Sequence, residues 1–241
     1  MVRRGTGDHP VMPDAARLAV GTLTVLPTRP PRSVDGEVGA RAMMLAPVIG
    51  GLLALAGGLL LWVLGWGPWG SPLSGTPAPL AAALTIGLLA LLTRAMHLDG
   101  LADTADGLGS GRPPAEALEV MRRGDVGPFG VVALVLVLIV QVVSLATLAE
   151  RGLGVGGLSF ALVVSRFSLP LACRRGVPAA RHDGLGQVVA GTVGPGRLVL
   201  SGGLALLTLA VLSLASPGLG AWSVSALARA VVASLVALGA A

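Results

Sequence analysis

Three carboxylates, Asp99, Asp103 and Asp106, stand in the run His97-Leu98-Asp99-Gly100-Leu101-Ala102-Asp103-Thr104-Ala105-Asp106-Gly107, directly after an apolar segment. Their spacing is i, i+4, i+7, which on a helix of 3.6 residues per turn puts all three in a narrow sector of one face. Such a row repels itself unless a cation joins it. Carboxylate oxygens suit Mg²⁺ or Mn²⁺, hard ions that keep coordination places open for substrate phosphates, so phosphoryl chemistry is the first expectation. Gly100 and Gly107 are expected to keep the approach to the row free of side chains, so that a diphosphate can come close to the backbone. The plainer alternative is a solvated helix end, where Asp is common.

The elements that must position this row are membrane helices. The chain is 54% hydrophobic and only 12% charged, and its apolar runs are long enough to cross about 30 Å of hydrocarbon. Six spans are expected, near residues 42–66, 80–96, 130–149, 154–173, 198–215 and 221–240. In the second, the uncharged stretch runs only from Leu80 to Thr93 before Arg94. It crosses only if Arg94 snorkels or the helix continues into the acidic run. The expected fold is an all-α polytopic membrane helix bundle, one integral membrane domain over residues 1–241. Within it, 1–41 form a cytoplasmic or interfacial N-terminal segment and 42–241 the bundle. Residues 15–26 are expected to make a short interfacial or half-buried helix ending at Pro27. Arg3-Arg4 precede no clean apolar core, which argues against a signal peptide.

All 17 basic residues are Arg. Six precede the first span; Arg112, Arg122 and Arg123 fall between the second and third, and Arg174, Arg175, Arg181 and Arg197 between the fourth and fifth. Only Arg151 falls in a loop on the other side. The positive-inside rule therefore predicts cytoplasmic termini and an acidic row that faces the cytoplasm of the cell membrane. The opposite loops, 67–79 and 216–220, are short, uncharged and rich in Gly and Pro, as turns are. Trp62, Trp66, Trp69 and Trp222 gather at that outer boundary, as an aromatic belt would. A net charge of +5 raises nucleic acid as a partner, but arginines split among loops with little aromatic interleaving exclude it. Anionic membrane lipid is the partner that basic loops favour. The single cysteine, Cys173, excludes an internal disulfide and is expected to be a small apolar residue at the end of the fourth span.

Individual charges sharpen the expectation. Arg112, Arg122 and Arg123 have the forked geometry that matches a diphosphate, with topology alone as the alternative. Arg166 sits inside an apolar span, where a guanidinium is normally paired or lines a polar cavity; a carboxylate of the acidic row is its expected partner. Arg94 is expected to pair likewise or to snorkel, and Arg229 has no nameable partner. His97 should point away from the Asp face, in a structural or supporting role. Asp183, beside Gly184 and Gly186, closes the site from another loop or serves as a cap.

The run His97 to Gly107 closely resembles the signature of the cobalamin synthase family, the adenosylcobinamide-GDP ribazoletransferases. The likeness extends in order along the chain. It takes in Leu23 to Pro27 (LTVLP), Glu119 to Gly130 (EVMRRGDVGPFG), Ser165-Arg166 and Gly184-Leu185-Gly186. The resemblance implies that α-ribazole, or its 5′-phosphate, attacks the cobinamide-bound phosphate of adenosylcobinamide-GDP. GMP leaves, and adenosylcobalamin or its phosphate results. It also implies a Mg²⁺ requirement, with Asp99, Asp103 and Asp106 holding the metal or one of them acting as base. Asp125 departs from the family pattern in the order of its acidic and basic residues. A Gly-Gly-x-Thr-Gly-Asp-x-Leu-Gly segment, expected after the last span, has no counterpart before Ala241, which implies a chain that stops early or a divergent member.

Two other classes compete. A CDP-alcohol phosphotransferase would carry a fuller Asp-Gly-x2-Ala-Arg pattern, but Asp103 follows Ala102 where that Arg would stand. A small-solute transporter should repeat its charges at midmembrane depth in several spans, whereas these carboxylates gather at one surface. The sequence leaves a homo-oligomer open.

Overall fold

The structure, a computed structural model, describes residues 11–67, 75–181 and 184–214. Among the described residues ten α-helices follow one another: α1 (Val11–Leu23), α2 (Gly36–Met44), α3 (Ala46–Leu61), α4 (Ala78–Leu92), α5 (Met96–Gly109), α6 (Pro114–Arg122), α7 (Pro128–Glu150), α8 (Gly154–Ala172), α9 (Gly184–Val189) and α10 (Pro195–Leu214). Among the described residues there is no strand, only an isolated parallel bridge between Arg174 and Val193. Among the described residues four stretches are, each by itself, long and apolar enough to cross a membrane: Ala46–Trp66, which includes a wider π-helical turn at Trp62–Trp66, Pro128–Glu150, Gly154–Ala172 and Pro195–Leu214. They match the expected first, third, fourth and fifth spans. The expected sixth, 221–240, lies outside the described residues, as do Trp69, Trp222 and Arg229.

The expected second span is present as a bent pair, α4 and α5, which together are long and apolar enough to cross. It is no continuous helix through Arg94: α4 stops at Leu92, and α5 leaves at 90° to it. Alone, the 15 residues of α4 are only about 22 Å long at 1.5 Å per residue, short of the hydrocarbon thickness, so a crossing here draws on both helices of the pair. The cause of the bend is a helix-ending motif. Arg94 adopts a left-handed φ of 52°. The Ala95 N–H donates to the Ala90 carbonyl at 2.7 Å and the Arg94 N–H to that of Leu91 at 3.1 Å. This is the bond pair that usually closes a helix on a glycine. Here arginine occupies the glycine's place, and Ala95 (φ 53°) is left-handed too. Thr93 Oγ1 adds a bond to the Leu89 carbonyl at 2.8 Å.

The chain forms two compact units. The first combines residues up to 51 with 162–210. In it α1 packs on α2 and α2 on α9. The helix expected near 15–26 is present as α1, burying Ala15, Leu18, Ala19 and Leu23 on one face. Asp35 caps α2, accepting from the N–H groups of Glu37 and Val38 at 3.0 and 2.9 Å. A Cβ on Gly50 would stand 2.6 Å from the Leu162 carbonyl oxygen, so α3 and α8 meet backbone to backbone there. Buried Ser201 on α10 donates to the Met44 carbonyl at 3.0 Å. Cys173 is buried, as expected.

The second unit combines the described residues of 52–161 with 211–214. Here α7 packs against both α4 and α5, and α6 against α5. Much of α7 is exposed and apolar, with Val132, Leu136, Ile139, Val140 and Val143 bare, as a lipid-facing helix requires.

An ion triad ties α2 to α10 in the first unit. Glu37 accepts from Arg197 at 2.6 Å and from Arg41 at 2.8 Å. Burial pushes its pKa up, but the hydrogen bonds and charges of Arg41 and Arg197 outweigh this and lower it below 4.5. A depressed carboxylate contributes stability above its unfolded pKa and loses it as pH falls through the folded value. Acidification from about pH 5 downward should therefore lower the thermal midpoint in detergent more for the native chain than for Glu37→Gln. Identical acid profiles for the two would refute a stabilising triad.

Candidate active site

The acidic row lies on α5, as its spacing predicts, but its three carboxylates meet different surroundings. Asp99 is exposed, Asp103 is half-buried, and Asp106 is only 7% exposed. Asp106 is turned toward the start of α7. Its Oδ2 accepts from the Gly127 N–H at 2.7 Å and its Oδ1 from the Gly130 N–H at 2.9 Å. These are the N-cap and third residues of α7. The cap itself offers no side chain, being Gly127, and Pro128 follows at the first helical position. The helix borrows its capping oxygens from α5, and the negative charge meets the positive end of the α7 dipole.

Small residues make this approach possible. A Cβ on Gly127 or Gly130 would collide with the Asp106 carboxylate, and on Gly130 would also stand 3.0 Å from the Ala102 carbonyl oxygen. Gly107 corrects an expectation. It is buried against α6, where a Cβ would collide with the Met121 side chain and approach the Ala117 carbonyl oxygen at 3.2 Å. It serves helix packing and not an open approach. Gly100 meets nothing within 4 Å, so that side of the helix is open beside Asp99.

The arginines expected to bind diphosphate are exposed around the same helices. Arg112 faces Glu116 at 3.7 Å, and Arg122 makes a two-pronged contact with Glu119 at 2.8 and 3.0 Å. Arg123 forms the C-cap of α6, and Asp125 is exposed in the loop that follows. Arg166 belongs to the first unit. It is 7% exposed, its Nε finds no hydrogen-bond partner, and Nη1 reaches only Ser165 Oγ, at 3.4 Å. Asp183 lies outside the described residues. Among the described residues no group of three or more His, Cys, Asp or Glu side chains is gathered as a metal site. The donor chemistry still suits a hard divalent ion. Asp99 and Asp103 stand one turn apart, and each Asp106 oxygen, accepting one N–H, keeps a second lone pair.

Sequence reasoning missed the capping role of Asp106. The signal was present in Gly127-Pro128, a helix start with neither a capping side chain nor a first-turn N–H at the proline.

The fold and site define an all-helical membrane protein whose carboxylate-bearing helix follows directly on a broken apolar one. Comparison with known proteins narrows this class. The family model for cobalamin-5-phosphate synthase matches residues 15–241. An adenosylcobinamide-GDP ribazoletransferase of Nocardioides sp. is 48% identical over 197 residues, covering 81% of this chain and 80% of the relative. Those of Pseudomonas entomophila and Escherichia coli are 41% and 34% identical, covering 72% and 92% of this chain and 67% and 86% of their own length. The chain belongs to the cobalamin-5-phosphate synthase family. No solved structure matches it.

Removing the borrowed cap should be costly. Asp106→Ala leaves two N–H groups of the α7 first turn without their acceptor, a loss of about 1–3 kcal/mol. The thermal midpoint in detergent should fall, and hydrogen exchange should accelerate at the amides of Gly127 and Gly130. An unchanged exchange rate at those two amides would show that the cap is not needed.

Proposed function

We propose that this chain is an adenosylcobinamide-GDP ribazoletransferase. A ribose hydroxyl of α-ribazole, or of its 5′-phosphate, attacks the phosphorus bonded to cobinamide. The bond from that phosphorus to the GMP oxygen breaks, GMP departs, and adenosylcobalamin or its 5′-phosphate is formed. The observation that carries this reading is family membership over residues 15–241, with 48% identity to a relative of that name.

The residues have a division of labour in this reaction. Asp106 holds α5 against α7, which keeps Asp99 and Asp103 on a fixed sector of a clamped helix. One of these two accepts the proton of the attacking hydroxyl. Asp99 and Asp103, with the remaining lone pairs of Asp106, would hold Mg²⁺. The ion would neutralise charge on the diphosphate oxygens. Arg112, Arg122 and Arg123 take the diphosphate. The exposed pairs of Arg112 with Glu116 and Arg122 with Glu119 are each worth only about 0–1 kcal/mol, so a diphosphate displaces them readily. Arg166, a buried guanidinium lacking a partner at Nε, and Asp183 are further candidates for substrate binding, on the strength of the sequence.

The topology belongs to the same proposal. Six spans follow from the apolar runs, and cytoplasmic termini and a site open to the cytoplasm from the arginine distribution. This places a polar, nucleotide-bearing substrate on the side where nucleotides are made. The enzyme sits in the cell membrane.

The test is GMP release from adenosylcobinamide-GDP and α-ribazole by the purified chain in liposomes, with Mg²⁺ or with EDTA. Release with matching cobalamin formation should require the metal and fall about 10²–10⁴-fold in Asp103→Asn. Turnover unaffected by EDTA and by Asp103→Asn would overturn the roles assigned here. Absence of turnover by well-folded chain would overturn the activity itself.

A further inference from the structure

A groove of about 610 Å³ runs along α4 in the second unit, within the volume range of small-molecule sites. Leu84, Gly87, Leu88 and Leu91 line it from α4, Leu60 forms part of another wall, and Arg94 stands at one end. Positions 84, 87, 88 and 91 recur at i, i+3, i+4, i+7, so the groove follows one helix face down to the bend. Gly87 leaves open space, with nothing within 4 Å of where a Cβ would stand, and Leu91 beyond it is 75% exposed. From residue 84 to its end at Leu92 the helix rises about 12 Å, most of the depth of one leaflet, and Arg94 stands just beyond.

The end of the groove is charged. Arg94 is exposed and makes no ion pair with the described residues. Its place in the backbone is also unusual. Position 94 closes α4 in the left-handed region, which glycine enters freely and other residues only at a cost. What arginine adds over glycine there is a cation, fixed where the apolar groove ends. An occupant that matches both halves has a hydrocarbon tail about one leaflet long and an anionic head.

We propose that the groove binds one anionic phospholipid, an acyl chain lying along Leu84, Gly87 and Leu91 and the headgroup phosphate on the Arg94 guanidinium. A phosphate beside a membrane-surface arginine gains the attraction that draws basic segments to acidic lipids, while the chain buries its methylenes against the leucines. The site lies at the bend that sets the direction of α5, so headgroup binding bears on how the acidic row is presented.

The proposal is tested by binding, independently of turnover. Full-length chain is titrated in mild detergent with phosphatidylglycerol or with phosphatidylcholine of the same acyl chains, and retained lipid is counted by native mass spectrometry. One phosphatidylglycerol should be retained in preference to phosphatidylcholine. Arg94→Gly suits the left-handed backbone and removes the charge; it should weaken that retention about fivefold, while Arg94→Lys restores most of it. Gly87→Leu fills the groove and should reduce retention of both lipids. Glycerol phosphate, a head without tails, should not compete. Equal retention of the two lipids by the native chain, or retention indifferent to Arg94→Gly, would overturn the headgroup assignment. Undiminished binding in Gly87→Leu, or displacement by glycerol phosphate, would overturn the groove as the seat of the chain. A change of oligomeric state in Gly87→Leu would also overturn it, by showing a second copy of this chain to be the occupant.

Discussion

A single carboxylate at the start of a membrane-length helix constrains the second unit. The first turn of any helix leaves N–H groups without intrahelical acceptors, and next to hydrocarbon no water replaces them cheaply. α7 begins with Gly127 and Pro128 and supplies no capping side chain of its own. Asp106 provides both acceptors from across the fold. The bond pair links residues 21 and 24 positions apart, so it closes the whole excursion through α6. It also locks the last turn of α5 to the longest apolar helix among those described. Asp99 and Asp103 stand on the same rigid element and inherit that anchorage.

Packing around this link uses residues that remove bulk. Gly127 and Gly130 let the α7 backbone reach the carboxylate, and Gly107 lets α5 approach Met121 of α6. Each substitutes close backbone approach for side-chain volume, which is how helices associate where apolar surface already meets lipid. The first unit uses the same device at Gly50, against the Leu162 carbonyl. It adds polar ties in Glu37 with Arg197 and in Ser201 with the Met44 carbonyl.

Hydropathy alone located the long helices to within a few residues at most of their ends, because twenty apolar residues have few other folds available in a membrane. The α4–α5 bend was not legible. A helix stop is read from glycine or proline, and Arg94-Ala95 offers neither, so the sequence suggested either a snorkelling arginine or a helix running on. The acidic row was legible as a row and illegible in its roles. Spacing of i, i+4, i+7 fixes which face the carboxylates share, but not which neighbour claims each one. Asp106 went to a helix start 21 residues away; Gly127-Pro128 shows that this start lacks a cap of its own, but not which carboxylate supplies one. Gly107 was misread for the same reason, since bare backbone beside a carboxylate looks identical whether a substrate or Met121 fills the space.

The 90° bend has a consequence for how such a site works. Had α4 continued straight, the row from Asp99 to Asp106 would have extended along the direction of α4, spreading the three carboxylates over about 10 Å of depth at 1.5 Å per residue. Turning α5 across that direction brings all three to one level. At that level Asp99 is exposed, Asp103 half-buried and Asp106 committed to the start of α7. The short α4 and the costly turn at Arg94 thus solve one problem together. They turn a charged helix aside from an apolar one while its neighbour α7, capped by that same helix, is long enough to cross.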